Sequence, residues 1–416
     1  MLKHTYTHFI KLLFIVVFIL LYSGCSTLIN IKDDLKTEKT LVTINGEVIT
    51  LNTIDAPIIV VLLKDTSEFL KYIDYKIKKD SGSFTFITKP GKYVVYAWQD
   101  LNHNNKYDID EPIGKTKVTK YLSGVDIDLK LTIKEASTTA YMKLLKDKNK
   151  QIIEIDKYHM HIGSVTSLDD GCFNDANISS GMVQPYTFLE KTPYGLFFLD
   201  EYHPEKKIIL FVHGINGSPR NFKTIIDSID KDKYQVLVYY YPSGLRLDIV
   251  SKALVEAMEE LRIKRRYDKN ISLIAHSMGG LVSRSYINKL KQKNDNYIDT
   301  FISISTPWDG HKSAETGLKY SPIVLSVWQD MAPHSDFLNQ LFVTQLNPDT
   351  PYYLLFSYHG DNMIADENND GVVSIKSQLK YIAQEQSTLV RGFSEDHMSI
   401  LKNKQLIELV NRVLKK

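Results

Sequence analysis

Residues 271–283 read Ile271-Ser272-Leu273-Ile274-Ala275-His276-Ser277-Met278-Gly279-Gly280-Leu281-Val282-Ser283. The run Ile271 to Ala275 reads as a buried strand, and the pattern after Gly279 reads as a helix. A serine on such a strand-to-helix turn is held in a strained backbone with its hydroxyl exposed. The chain doubles back there, so the positions two residues before and after the serine must be small. Gly279 satisfies this, and Ala275 adds only a methyl where glycine is usual. A Ser-x-Gly string alone arises by chance; the strand before and the helix after make Ser277 a candidate nucleophile.

The flanking sequence has the same texture from about Lys206 onward. Ile208–Val212, Gln235–Tyr240, Phe301–Ser305 and Tyr352–Phe356 are apolar strand patterns. Ser218-Pro219 reads as N-cap and first residue of a helix running to Ile229. Val250, Leu254, Met258 and Leu261 share one helix face, and Leu406, Leu409, Val410 and Val413 line a closing helix. Strands alternating with helices predict an α/β domain, a mostly parallel sheet covered on both faces.

A serine hydroxyl attacks well only when a histidine takes its proton and a carboxylate holds that histidine's tautomer. Asp370, in Asn369-Asp370-Gly371-Val372-Val373-Ser374, and His397, in Glu395-Asp396-His397-Met398, follow Ser277 in that order. Of the chain's 12 histidines, only His397 lies after Asp370. Asp370 also sits in Asp366-Glu367-Asn368-Asn369-Asp370-Gly371, which resembles the start of a calcium loop but has Ser377 where a carboxylate would close it. Asp309, Asp361 and Asp366 are alternative acids.

From about residue 206 to the C-terminus the chain resembles bacterial triacylglycerol-lipase-like and inositol-deacylase-like serine hydrolases of the α/β-hydrolase fold. The resemblance is carried by the Ser277 and Asp370 segments, by Val212-His213-Gly214-Ile215-Asn216-Gly217, by Tyr240-Tyr241-Pro242-Ser243-Gly244, by Gly280-Leu281-Val282-Ser283-Arg284 and by Ser305-Thr306-Pro307-Trp308-Asp309-Gly310-His311. It implies an ester hydrolase with a Ser277–His397–Asp370 triad and no catalytic cofactor. The backbone N–H groups of Ile215 and Met278 would be the oxyanion donors. Tyr320–Trp328 would then be a candidate lid over an ester substrate, with a lipid ester the expectation.

At 416 residues the chain exceeds one ordinary domain. Its 51 Lys+Arg balance 49 Asp+Glu with no long single-sign run, which gives no footing for a nucleic-acid partner. Lys3 and Lys11 precede the apolar run Leu12–Leu21, which is short for a bilayer span. Tyr22-Ser23-Gly24-Cys25 resembles the lipobox of bacterial lipoproteins, with Tyr22 a departure from the usual aliphatic residue. The resemblance implies cleavage before Cys25, a diacylglycerol on its thiol and membrane anchoring; Ser26 points by family analogy to the outer membrane. An ordinary signal peptide and an uncleaved anchor are the alternatives. Cys172, the other cysteine, has no intramolecular partner in a chain matured in this way and reads as a small buried hydrophobe.

The expected organisation is a signal peptide over 1–24, a polar tether over 25–38, a β-rich domain over 39–133, a linker and edge segment over 134–200, and the α/β domain over 201–416. In the β-rich part, Val42-Thr43-Ile44 before Asn45-Gly46 predicts a hairpin turn, and Ile58–Leu63 a fully buried strand. Gly82–Phe86 and Pro90–Val95 resemble carboxypeptidase-regulatory-like or transthyretin-like β-sandwich modules. The loop that follows places oxygens at Asp100, Asn102, Asn104, Asp108 and Glu111, the spacing of an EF-hand calcium loop, with the Lys106 backbone carbonyl at the seventh place and Asn105 where glycine is usual. A structural Ca²⁺ is the expectation, and a solvated Asx-rich turn the alternative. A surface lipoprotein that binds through a calcium-loaded sandwich, on a non-catalytic hydrolase scaffold, is the competing functional reading.

Overall fold

A computed structural model describes residues 24–51, 54–66, 68–122, 126–136, 160–360 and 368–415. Eight strands form the N-terminal region: β1 (Val42–Thr50), β2 (Ile58–Asp65), β3 (Leu70–Lys78), β4 (Gly82–Thr88), β5 (Gly91–Gln99), β6 (Ile113–Lys115), β7 (Thr119–Tyr121) and β8 (Asp126–Ile133). They make two sheets, β4-β1-β8 and β3-β2-β5-β6 with β7 also paired to β5. Between the sheets pack Val42, Ile44, Val48, Val60, Leu62, Phe84, Phe86 and Val95. Alternate residues of β2 and β5 (Ile59, Val61, Leu63, Val94, Tyr96, Trp98) are buried on the opposite face. This explains the unbroken apolar run of β2, since a strand covered on both sides has no polar face.

The predicted turn at Asn45-Gly46 is absent. β1 runs straight through it, with Gly46 paired to Phe84 of β4. The cause is packing: a Cβ on Gly46 would lie 2.2 Å from Phe84 Cζ, so the aromatic ring occupies the space that glycine leaves. Gly46→Val is therefore expected to destabilise the sandwich by about 1–3 kcal/mol through overpacking, read as a lower thermal midpoint. An unchanged midpoint would show that the ring moves freely.

The polar tether expected over residues 25–38 is instead part of a helix, Gly24–Thr40. It is docked by its acids. Asp34, buried, accepts N–H bonds from Tyr186 (3.1 Å) and Thr187 (2.7 Å). These lie in the first turn of the helix Pro185–Lys191, whose own N-cap residue Gln184 makes no side-chain cap. Both Glu38 oxygens accept from Ser326 Oγ, at 2.7 and 2.6 Å.

The remaining strands are β9 (His161–Val165), β10 (Gly195–Phe198), β11 (Lys207–Val212), β12 (Tyr234–Tyr240), β13 (Ile271–His276), β14 (Ile298–Ile304), β15 (Tyr352–Ser357) and β16 (Leu389–Phe393). They form one sheet in the order β16-β15-β14-β13-β11-β12-β10-β9. All pairs are parallel except β10 with β12. Residues on β11 alternate between two cores: Ile208, Leu210 and Val212 face the helices Leu247–Arg265 and Met278–Gln292, while Ile209 and Phe211 face the helix Lys404–Leu414. Cys172 is a buried free thiol, pushed up to about 12 chiefly by that burial.

The sandwich sits on the helix Leu247–Arg265 through charged contacts from β3. Lys78 pairs with Glu259 at 2.7 Å, Lys76 with Glu256 at 2.9 Å, and Tyr75 donates to Glu260 at 3.1 Å. The stretch expected as a lid is divided between the helix Lys312–Tyr320 and the helix Ser326–Met331. Val327 is in the core, its N–H bonded to the Gly244 carbonyl at 3.1 Å, and Trp328 lies against Gly317. Leu325, Ser326 and Val327 are buried, while Tyr320 and Pro322 are exposed, so only the second half of the stretch packs as core.

Candidate active site

Ser277 stands between β13 and the helix Met278–Gln292 with φ 54° and ψ −133°, a region that L residues seldom occupy. The turn is tight because glycines surround it. A Cβ on Gly279 would fall 2.2 Å from the Val212 carbonyl oxygen, and one on Gly280 would fall 2.0 Å from Thr306 Oγ1. Backbone bonds hold the elbow, from Ser277 N–H to the Ile304 carbonyl (2.8 Å) and from Gly280 N–H to the Ser277 carbonyl (2.9 Å).

Asp370 and His397 meet as a buried pair. His397 Nδ1 donates to Asp370 Oδ2 at 2.7 Å, and the His397 N–H donates to the Asp370 carbonyl at 2.8 Å. The same carboxylate oxygen accepts from Ser357 Oγ (2.6 Å) and Gln378 Nε2 (3.1 Å); Oδ1 accepts the N–H groups of Val372 (3.0 Å) and Val373 (2.7 Å). Burial pushes the Asp370 carboxyl up, but the His397 bond and charge, the Ser357 hydroxyl and the Val373 N–H outweigh it and leave it below its ordinary value. With the proton on Nδ1, His397 Nε2 is left as the acceptor.

His276 ties this pair to the elbow. Its Nε2 donates to the His397 carbonyl at 2.8 Å, and the two rings lie 4.7 Å apart. Burial first, and His397 second, pushes His276 down to about 3, so it is neutral at ordinary pH. The Ser277 hydroxyl itself makes no hydrogen bond among the described residues. Such contacts often tighten only once substrate is bound.

The loop after β11 touches the serine directly. A Cβ on Gly214 would lie 2.7 Å from Ser277 Cβ and 3.3 Å from Oγ, which requires glycine. Ile215 follows it, and Met278 opens the helix after Ser277, where an N–H has no intrahelical acceptor. Neither N–H donates to another group among the described residues. Of the alternative acids, Asp309 pairs with Lys380 at 2.7 Å, while Asp361 and Asp366 lie outside the described residues.

Sequence reading gave no bracing role to His213, His276, Ser357 or Gln378. His213 stood in the Val212–Gly217 segment and His276 beside Ser277, whereas Ser357 and Gln378 offered no signal.

The 100–111 loop belongs to the sandwich and is closed on itself. Asp100 and Glu111 are buried. Asp100 accepts the N–H groups of Asn104 (3.0 Å) and Asn105 (2.9 Å), and Glu111 those of Leu101 (2.8 Å) and Asp108 (2.9 Å). The amides of Asn102 and Asn104 donate to Asp108 Oδ2 at 2.8 and 2.6 Å. Asn105, with φ 58°, takes the left-handed turn expected of its place. Among the described residues no three His, Cys, Asp or Glu side chains are gathered as a metal site. The Asn102 and Asn104 amide oxygens accept the N–H groups of Asn104 (3.1 Å) and Lys106 (2.7 Å), which fixes both amides as they stand.

Residues 203–363 match the family described as "Putative serine esterase (DUF676)". No curated protein matches the chain. Among solved structures, Bacillus licheniformis lipase BlEst2 in mature form is similar at 20% identity, covering 53% of this chain and 97% of that one, with a TM-score of 0.41. The lin2722 gene product of Listeria innocua is 17% identical over 51% of this chain and 94% of that one (TM-score 0.39). Legionella pneumophila phospholipase PlaB is 17% identical over 42% and 45% (TM-score 0.35). The larger domain is a mostly parallel eight-stranded sheet with helices packed on both faces.

Proposed function

We propose that the chain is a serine hydrolase of carboxylic esters, acting through Ser277, His397 and Asp370. The observation that carries the reading is the His397–Asp370 pair at 2.7 Å, linked by His276 to a serine in a left-handed elbow. In this mechanism His397 Nε2 takes the Ser277 proton as Oγ attacks the ester carbonyl carbon. The oxyanion of the tetrahedral intermediate faces the N–H groups of Ile215 and Met278, each such donor being worth about 3 kcal/mol of barrier. The intermediate collapses, and the alcohol leaves with the proton from His397. Water, deprotonated by His397, then hydrolyses acyl-Ser277 to the carboxylic acid and free serine. No cofactor enters. The same constellation serves amides and acyl transfer, so the substrate class rests on the match to the esterase family.

The chain from Ser26 onward, assayed with p-nitrophenyl esters of short and long acyl chains, tests this. Turnover together with fluorophosphonate labelling of Ser277 is the expected result, and chain-length preference separates esterase from lipase. Neither turnover nor labelling would favour the surface binding protein.

Two further parts of the reading concern the N-terminal region. Lipidation at Cys25 would place the enzyme on a membrane surface, in the outer membrane by analogy with other lipoproteins. A structural Ca²⁺ in the 100–111 loop would be held by Asp100, Asn102, Asn104, Asp108, Glu111 and the Lys106 carbonyl. Millimolar Ca²⁺ is then expected to raise the thermal midpoint relative to a chelator, by mass action on the folded state. Equal midpoints in the two conditions would leave the loop a self-capped turn.

A further inference from the structure

Ile215 is flanked by two held peptide groups, and the holding is done by side chains outside the triad. On one side, His213 Nδ1 donates to the Gly214 carbonyl at 2.8 Å. On the other, the Asn216 N–H donates to Ser243 Oγ at 3.0 Å, with Asn216 itself at φ 48°. In a trans peptide the carbonyl and the next N–H point in opposite directions. A Gly214 carbonyl drawn onto the His213 ring therefore turns the Ile215 N–H away from that ring. Gly214 lies against the Ser277 side chain. An Ile215 N–H turned away from the ring can face the space beside Ser277 Oγ.

The ring that does this is itself fixed. It stacks on Tyr241 with centroids 4.3 Å apart at 13°, the Tyr241 hydroxyl donates to the His213 carbonyl at 2.6 Å, and the Tyr241 N–H approaches Nε2 at 3.4 Å. A ring that donates from Nδ1 and accepts at Nε2 must be the neutral Nδ1–H tautomer. Burial, against the Gly214 bond, pushes His213 down to about 4, so the neutral form persists at ordinary pH.

We propose that His213 is a positioning residue that sets the Gly214–Ile215 peptide so that the Ile215 N–H faces the oxygen developing on the substrate carbonyl. The assignment rests on the ester-hydrolase reading for its purpose, but the peptide orientation is measurable without it.

The experiment compares wild type, His213→Asn, His213→Leu and His213→Gln by crystal structure and by steady-state kinetics on a p-nitrophenyl ester. Asn keeps a donor near the Nδ1 place, Leu removes it, and Gln moves it to the Nε2 place. The expected result is a rotated Gly214–Ile215 peptide and a kcat lowered roughly 10- to 100-fold in Leu and Gln, with KM changed little. Asn is expected to restore the wild-type peptide and most of kcat, which a purely structural role would not predict. Should the Leu variant not fold, the Gln variant answers the same question. An unrotated peptide in Leu or Gln, or an equal kcat loss in Asn and Leu, overturns the proposal. Rotation in a protein whose wild type turns over no ester would sink the hydrolase reading and leave the peptide-holding role standing.

Discussion

Ser277→Ala is expected to lower kcat for ester hydrolysis by about four to six orders of magnitude, because the nucleophile is removed while its surroundings stay in place. The elbow is held by the backbone of residue 277 and not by its hydroxyl: its N–H bonds to Ile304 and its carbonyl to Gly280. Alanine therefore meets the same φ of 54° without losing either bond, and the thermal midpoint should stay within a few degrees of wild type. Residual turnover above the water rate would come from direct attack of water on the ester, its oxyanion stabilised by the Ile215 and Met278 N–H groups. Steady-state kinetics with an intact-mass check for acylation decides the matter. A variant that keeps more than about one per cent of kcat would mean that Ser277 does not form the acyl intermediate.

That expectation was open to sequence reading because its elements are local. Ile271–Ala275 is apolar except for Ser272, Gly279 and Gly280 permit the turn, and His397 is the one histidine after Asp370. Features set by distant partners were not legible. Asn45-Gly46 has the composition of a turn, and only Phe84 from the neighbouring strand makes it the middle of one. Residues 25–38 are polar and read as a tether, but Asp34 finds helix N–H groups at Tyr186 and Thr187, far along the chain. The short strands β9 and β10, at one end of the sheet, carry too few residues for a period to show. In the 100–111 loop the oxygen spacing was legible, whereas the bonds from the loop's own N–H groups to Asp100 and Glu111 were not. His213 and His276 illustrate the same limit within the site, since a ring's role depends on which carbonyl it meets.

Asp370→Asn is expected to cost about 10⁴-fold in kcat at neutral pH while leaving a folded protein, by reversing one hydrogen bond. Oδ1 can keep the Val372 and Val373 N–H bonds. The amide nitrogen then takes the place of Oδ2, which now accepts from Ser357, Gln378 and His397. The Ser357 hydroxyl can rotate to accept; the Gln378 amide nitrogen cannot. His397 relieves the clash by moving its proton from Nδ1 to Nε2, the atom that must receive the Ser277 proton, so the base is lost though every ring stays in position. Stability should follow a separate pH course. The Asp370 carboxyl lies below its ordinary value of 3.8 in the folded state. Its stabilising contribution is therefore full above about pH 4 and fades as pH falls through the lower folded value. Thermal midpoints of wild type and Asp370→Asn should differ most near neutrality and converge in strong acid. A variant within tenfold of wild-type kcat would move the acid elsewhere, to Asp361 or Asp366, since Asp309 is engaged with Lys380.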